Sequence, residues 1–205
     1  MNKIILTTAF IFILSIINAQ KNELLNAFEK SYNNEVSQEY AKAAQHLEAL
    51  YQTNSSNYEL NLRLGWLHYL SGNLKESENY YTKAMKLKPL ALEAIYGKIL
   101  PILTQQNYTN VMQLAEQALL IAPNDSKAEY YIGVANYYKK EYLKSEKYLE
   151  KAINKYPFDL DLNLMLGWTK FALGKKNEAK ALFQVAERHS PNNIRVKTAI
   201  ELINK

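Results

Sequence analysis

The apolar positions of this chain recur at helical spacing in short blocks, and each block closes on a polar break. Leu60, Leu64 and Leu67 share one face of a helix. Ser71-Gly72-Asn73 interrupts that pattern. Leu74, Ser77, Tyr81 and Ala84 then form a second stripe, which ends at Lys88-Pro89. The pattern predicts paired helices, and the pairs repeat. Pro89, Pro123, Pro157 and Pro191 follow one another at intervals of 34 residues. Five residues before each lies an alanine: Ala84, Ala118, Ala152 and Ala186. Gly65, Gly133 and Gly167 lie 24 residues before three of these prolines, and Ile99 holds the remaining register position.

Each recurring residue has a physical task. The glycine lets the first helix of a pair approach its neighbour, and the alanine does the same in the second helix, where a larger side chain would force the pair apart. The proline cannot continue a helix and so fixes the exit to the next pair. Helical pairs of this kind bury their apolar faces only against neighbours, so they stack and their ends need caps. Four clear units occupy 58–91, 92–125, 126–159 and 160–193. A degenerate unit fills 24–57 of the N-terminal helical region 20–57, with Tyr40, Ala43 and Leu47 in register but no closing proline. Residues 194–205, with Ile194, Ala199, Ile200, Leu202 and Ile203, read as a capping helix.

These residues resemble the tetratricopeptide repeat family. Positions 7 and 8 of that repeat are matched by Leu64-Gly65, Ile132-Gly133 and Leu166-Gly167, and position 15 by Gly72 and Gly174. The small residue at position 20 is Ser77, Ser145 or Ala179, and the large apolar one at position 24 is Tyr81, Leu149 or Phe183. The resemblance implies an all-α fold, a right-handed α-solenoid of tandem helix-turn-helix repeats with a C-terminal capping helix. There are departures. Position 4 holds Asn61, Ile95, Glu129 and Asn163, and position 11 holds His68, Ile102, Asn136 and Lys170, where the family favours aromatic residues. The third repeat lacks the position-8 glycine and places Pro101 inside its first helix, which predicts a kink. That bend is either tolerated or shapes a groove. The second case expects Pro101→Ala to stabilise the fold while weakening partner binding.

The resemblance also implies a binding surface, the concave face lined by first helices. Carried over by position, it comprises Leu62, Trp66, Tyr69 and Leu70, then Tyr96, Leu100 and Leu103. It continues through Tyr130, Val134, Tyr137 and Tyr138 to Leu164, Trp168 and Phe171. The spacing of positions 5, 9 and 12 is one face of a helix. The opposite face already supplies helix packing, so this second apolar face must meet something. Either neighbouring first helices bury the rings against each other, or the rings anchor an extended peptide or apolar segment of a partner. Positions 5 and 9 carry no Lys or Arg in any clear repeat, which argues against a lysine-rich clamp for an acidic tail.

The first residues change the setting. Lys3 precedes a 14-residue uncharged run, Ile4 to Ile17, followed by Asn18-Ala19-Gln20. A membrane-spanning helix needs about 20 apolar residues. The shorter run fits a signal peptide, residues 1–19, removed after Ala19 on export to a periplasm. The alternatives are secretion or an uncleaved anchor. The chain has no cysteine, which excludes disulfides, thiol nucleophiles, thiolate metal sites and lipid attachment through cysteine. Its net charge of +5 comes from 22 Lys and 3 Arg against 20 acidic residues. The lysines are interspersed with glutamates as on solvated helix faces, so nucleic acid is not an expected partner.

No constellation for catalysis or metal binding emerges. His46, His68 and His189 share no ligand spacing. Asp159-x-Asp161-x-Asn163 begins like a calcium loop, but the sixth position is Leu164 and the twelfth Lys170. Asp159 and Asp161 suit the start of a helix instead. The sequons at Asn54, Asn107 and Asn124 matter only in a eukaryotic secretory pathway, and the Lys-, Asn- and Ile-rich composition reads as bacterial. The expected function is an exported, non-catalytic scaffold without cofactor or metal. It would bind a protein or peptide partner in an envelope-membrane complex. The alternative is a glycan- or cell-wall-binding module that stacks sugars on the rings.

Overall fold

A computed structural model describes residues 20–204 as helices joined by short turns, with no strand among them. The segment expected to be a signal peptide lies outside the described residues. The helices are α1 (20–36), α2 (Tyr40–Glu48), α3 (Tyr51–Asn54), α4 (Tyr58–Leu70), α5 (Leu74–Leu87) and α6 (Leu92–Thr104). They continue with α7 (Tyr108–Ile121), α8 (Ser126–Tyr138), α9 (Tyr142–Ile153), α10 (Leu160–Ala172), α11 (Lys176–His189) and α12 (Ile194–Ile203). The chain divides into two compact units, and the division falls inside α6, between Pro101 and Ile102.

One side-chain oxygen starts most of the first helices. Leu60, Ala128 and Leu162 donate their backbone N–H groups to Asn57, Asp125 and Asp159 at 3.0, 2.9 and 2.9 Å. Asn193 accepts from Arg195 at the start of α12, at 2.9 Å. These caps sit at the last position of the 34-residue unit. The third repeat has Ala91 there, which offers no side-chain acceptor.

The turn within each pair also keeps one geometry. Gln38, Gly72, Gln106, Lys140 and Gly174 all have φ between 59° and 79°. The following residue donates its N–H back across the helix end, as in Asn73 to His68 O and Lys175 to Lys170 O, at 2.8 and 2.9 Å. Asn107, Glu141 and Glu39 repeat that bond. This is the left-handed helix stop that favours glycine. Gln106→Gly and Lys140→Gly are each expected to raise stability by about 1 kcal/mol, because the left-handed conformation strains a residue with a Cβ. Denaturant unfolding of the two variants checks this, and a loss in both would contradict it.

In the first unit, Leu60, Leu64 and Leu67 are buried with Ala27, Phe28, Ala43, Ala44 and Leu47. The Tyr81 ring lies between Gly65 of α4 and Gly97 of α6. A Cβ at Gly65 would stand 2.9 Å from the ring, and one at Gly97 would stand 2.5 Å from its Cζ. The third repeat therefore does have a close-packing glycine, two residues before the expected place. In the second unit, Gly133 takes Leu149 and Gly167 takes Phe183 in the same way, and Leu149 and Phe183 centre separate clusters.

The polar residues at positions 4 and 11 tie repeats together. Asn61 Nδ2 donates to Ser55 O and Asn57 O at 2.9 and 2.7 Å. Asn163 Nδ2 repeats this with Pro157 O and Asp159 O at 2.9 and 2.8 Å. Each holds the turn that precedes its own helix. At position 11, His68 meets Glu48 at 2.9 Å and Lys170 meets Glu150 at 2.6 Å, each partner lying 20 residues earlier. Lys170 also contacts Glu146 and Glu178 at 2.5 and 2.8 Å, and Glu146 receives Lys175 at 2.6 Å.

Candidate partner-binding faces

The ring-bearing face of the first unit is built by α1 and α4. Trp66 projects from α4, half-buried, and its indole N–H donates to Glu35 Oε1 of α1 at 2.7 Å. Glu35 Oε2 pairs with Arg63, one helical turn before Trp66. The Arg63 guanidinium lies 3.8 Å from the Tyr32 ring centroid. The rings of Trp66 and Tyr69 are 5.8 Å apart. Beside them a cavity of ≈ 290 Å³ is lined by Tyr32, Leu62, Arg63, Trp66 and Tyr81, with Glu59 and Glu93. Tyr96 is buried and Leu100 half-buried.

In the second unit, α8 carries the rings. Tyr137 lies 5.4 Å from Tyr138 and 5.6 Å from Tyr142, while Tyr138 stacks in parallel on Tyr108 at 5.1 Å. Tyr138 is 50% exposed, so the stack is open to solvent on the Tyr138 side chain. Burial, helped by Tyr142 and Tyr138, pushes the Tyr137 hydroxyl up, so it stays a neutral donor. Tyr130 lines a separate cavity of ≈ 490 Å³ with Tyr131, Tyr156, Asp159 and Asp161. Burial, with Asp161 next in effect, holds the Tyr130 hydroxyl far above the usual tyrosine range.

Several expected contact residues sit elsewhere. Leu164 is 2% exposed, packed with Phe183, Val196 and Ala199, and Val134 is also 2% exposed. In this last repeat α12 covers the side chain that would otherwise face outward. Trp168 lies 4.8 Å from Phe183 and 6.1 Å from Phe171, and the half-buried Trp168 and Phe171 rings pack on the cluster that includes Ile200 and Ile203 of α12. Tyr96 is also buried rather than presented. Among the expected rings Tyr138 is exposed, while Trp66, Tyr69, Tyr130, Tyr137, Trp168 and Phe171 are half-buried.

Sequence reasoning missed Tyr32, Glu35 and Arg63. The lack of basic residues holds at positions 5 and 9, and Arg63 stands at position 6. Its signal was its residue type, one of 3 arginines among 22 lysines. The histidines serve packing: His46 meets Asn34 at 3.1 Å, His68 meets Glu48, and His189 stacks on Phe158 at 4.7 Å. Asp159 caps α10, and Asp161 pairs with Arg195 at 2.7 Å. No group of three or more His, Asp or Glu placed to hold a metal occurs among the described residues.

Family models described as tetratricopeptide repeat match residues 37–97, 127–159 and 161–193, which together exceed half the chain. The chain belongs to the tetratricopeptide repeat family. The repeat surrounding Pro101 falls largely outside those matches. Solved tetratricopeptide folds agree in architecture. The structure titled MamA 41-end from Desulfovibrio magneticus RS-1 is 18% identical, with a TM-score of 0.70 over 84% of this chain and 97% of that one. A tetratricopeptide repeat protein from Parabacteroides merdae gives 17% identity and a TM-score of 0.73, covering 89% and 72%. A thermophilic TPR protein from Thermus thermophilus gives 13% and 0.71, covering 90% and 98%. No curated protein matches the sequence. The family shows the all-α solenoid class, and with it the general role of tetratricopeptide repeats as non-catalytic scaffolds for protein partners.

Proposed function

We propose that this chain is an exported scaffold that holds a protein partner of a bacterial envelope complex on the ring faces of its first helices. The observation that carries the reading is the exposed Tyr138 ring at the end of the first helix α8, stacked in parallel on Tyr108 of α7 and continued by Tyr137 on α8. Aromatic rings fixed by their neighbours lose little conformational freedom on binding, and such rings dominate protein interfaces. In the first unit, Trp66 and Tyr69 form the matching pair. Export rests on the composition of residues 1–19, where one lysine precedes a short uncharged run. Among the described residues no helix is long and apolar enough to cross a membrane.

Tyr69→Ser and Tyr138→Ser are the informative substitutions. Trp66 and Trp168 are held by Glu35 and by the α12 cluster, so replacing them would also disturb the fold. Capture from envelope extract should retain a defined protein with the wild-type chain and lose at least tenfold of it with the double variant. The double variant should stay folded and lose no more than about 3 kcal/mol, the worth of the ring pairs that it removes. A parallel glycan array tests the second reading, which the flat Tyr138–Tyr108 platform favours. Glycan binding that needs Tyr138, without protein capture, would replace the scaffold reading. Capture that survives the double substitution would remove the ring faces from it.

A further inference from the structure

Helix α9 sorts charges that the sequence mixes. Its glutamates are drawn to α10 and the turn after it: Glu146 receives Lys170 and Lys175, and Glu150 receives Lys170. Ser145, Leu149 and Ala152 are buried in the core. Lys144, Lys147 and Lys151 are exposed instead. At 3.6 residues per turn they fall within about 60° of one another around the helix axis, away from the buried positions. Lys140, exposed in the turn before α9, continues the row. Lys144 pairs with Glu141, whereas no ion pair among the described residues involves Lys140, Lys147 or Lys151. Leu143 is 69% exposed and stands one turn before Lys147.

The repeat does not require these lysines. They hold positions 15, 19, 22 and 26, and in the other three clear repeats Lys83 is the only lysine at any of these positions. The third repeat has Gln106, Asn110, Gln113 and Gln117 there, so a neutral row serves the same fold. The outward side of a helix is a ridge, and a ridge of cations fits a plane of negative charge. Lysine suits a diffuse surface, because its ammonium is a mobile point charge without the fork by which arginine grips one phosphate or carboxylate. Each lysine beside an anionic lipid surface raises partitioning on the order of fivefold. The exposed leucine decides between partners. It gains little from a purely charged chain, but it can enter the apolar boundary beneath lipid headgroups. We infer that the outward face of α9 docks on an anionic phospholipid surface, with Lys140, Lys144, Lys147 and Lys151 on the headgroups and Leu143 inserted among them. This goes beyond the scaffold reading and does not depend on it.

Vesicle co-sedimentation of the full chain tests this. One set of vesicles is phosphatidylcholine alone, and the other is phosphatidylcholine and phosphatidylglycerol in equal parts. The readout is the preference for the anionic set, and any contribution of residues 1–19 is common to all variants. Wild type should show the preference, and it should vanish at about 1 M salt, where the Debye length is about 3 Å. Lys140→Gln/Lys147→Gln/Lys151→Gln installs the residues that the third repeat carries at these positions, so the variant should fold, as circular dichroism can check. It should lose at least tenfold of the preference. Lys75→Gln/Lys86→Gln/Lys180→Gln removes the same charge from exposed sites on α5 and α11 and should lose less than threefold. Leu143→Gln should lose at least twofold. No anionic preference, equal losses in the two triple variants, or unchanged partitioning in Leu143→Gln would overturn the proposal. Polyglutamate or duplex DNA binding more tightly than the vesicles, through the same lysines, would overturn it in favour of an acidic macromolecule. A failure here leaves protein capture by the Tyr69 and Tyr138 faces standing, and loss of that capture leaves the lipid-docking face standing.

Discussion

Lys170→Met is expected to lower the unfolding free energy by about 3 kcal/mol, the scale for breaking a buried ion pair. Lys170 is 6% exposed and is held by Glu146, Glu150 and Glu178, which come from α9 and α11 on either side of α10. Burial alone would push the Lys170 ammonium down, but the three carboxylates hold it well above its ordinary value. Burial likewise acts to raise Glu146, and the bonds from Lys170 and Lys175 outweigh it, so its carboxyl ends below the usual range. Removing Lys170 leaves Glu146 buried with Lys175 alone. Replacing both partners together, Lys170→Met with Glu146→Leu, should recover most of the loss, because an apolar pair needs no desolvation.

The same network sets a pH dependence with a definite sign. Glu146 has a lowered folded pKa, so its contribution is present above its unfolded value near 4.5 and fades as pH falls through the folded value. Lys170 has a raised folded pKa, so its contribution is full below 10.5 and fades as pH rises through the folded value. The stability gap between wild type and Lys170→Met should therefore be flat between these limits and shrink outside them. Chemical denaturation across that range measures it. A gap under about 1 kcal/mol at neutral pH, the size of an exposed pair, would contradict the network's role.

The second large effect lies at Gly97. Gly97→Ala should destabilise the first unit by about 3 kcal/mol, the upper range for overpacking a well-filled site. The added Cβ would stand 2.5 Å from Tyr81 Cζ, and Tyr81 is held on its other side by Gly65. The ring has no free direction in which to move. The corresponding residue in the fourth repeat is Leu149, smaller than a tyrosine, and there the facing residue of the next helix is Met165. Tyr81→Leu should thus relieve Gly97→Ala, so that the double variant is more stable than Gly97→Ala alone. Additive losses in a double-mutant cycle would show that the two residues do not constrain each other.

Much of this fold was legible because the repeat fixes backbone geometry by position. The left-handed turn recurs at Gln38, Gln106 and Lys140, although none of these residues signals it locally. Register alone places it there. The departures at positions 4 and 11 were visible as departures, but their meaning needed three dimensions. Asn61 and Asn163 bind the preceding turn, and His68 and Lys170 reach a glutamate 20 residues earlier. Pro101 lies in the last turn of α6, which stays helical to Thr104. The candidate faces were read less completely. Helical spacing puts Trp66 and Tyr69 one turn apart on α4 and sets Tyr137 and Tyr138 near the end of α8. It could not show that α12 covers Leu164, or that Trp66 gives its N–H to Glu35. Those facts depend on neighbouring helices, which a pattern along one helix does not encode.

On the proposed function, a protein partner meets the ring faces of the first helices. Site-specific photocrosslinking in cells tests it most directly, with the photoreactive residue placed at Tyr69, at Tyr138, or at Leu120. Leu120 belongs to the second helix of its repeat and is 85% exposed. One discrete crosslinked protein is expected from the Tyr69 or Tyr138 position and none from Leu120. A discrete crosslink from Leu120, with none from either tyrosine position, would contradict it.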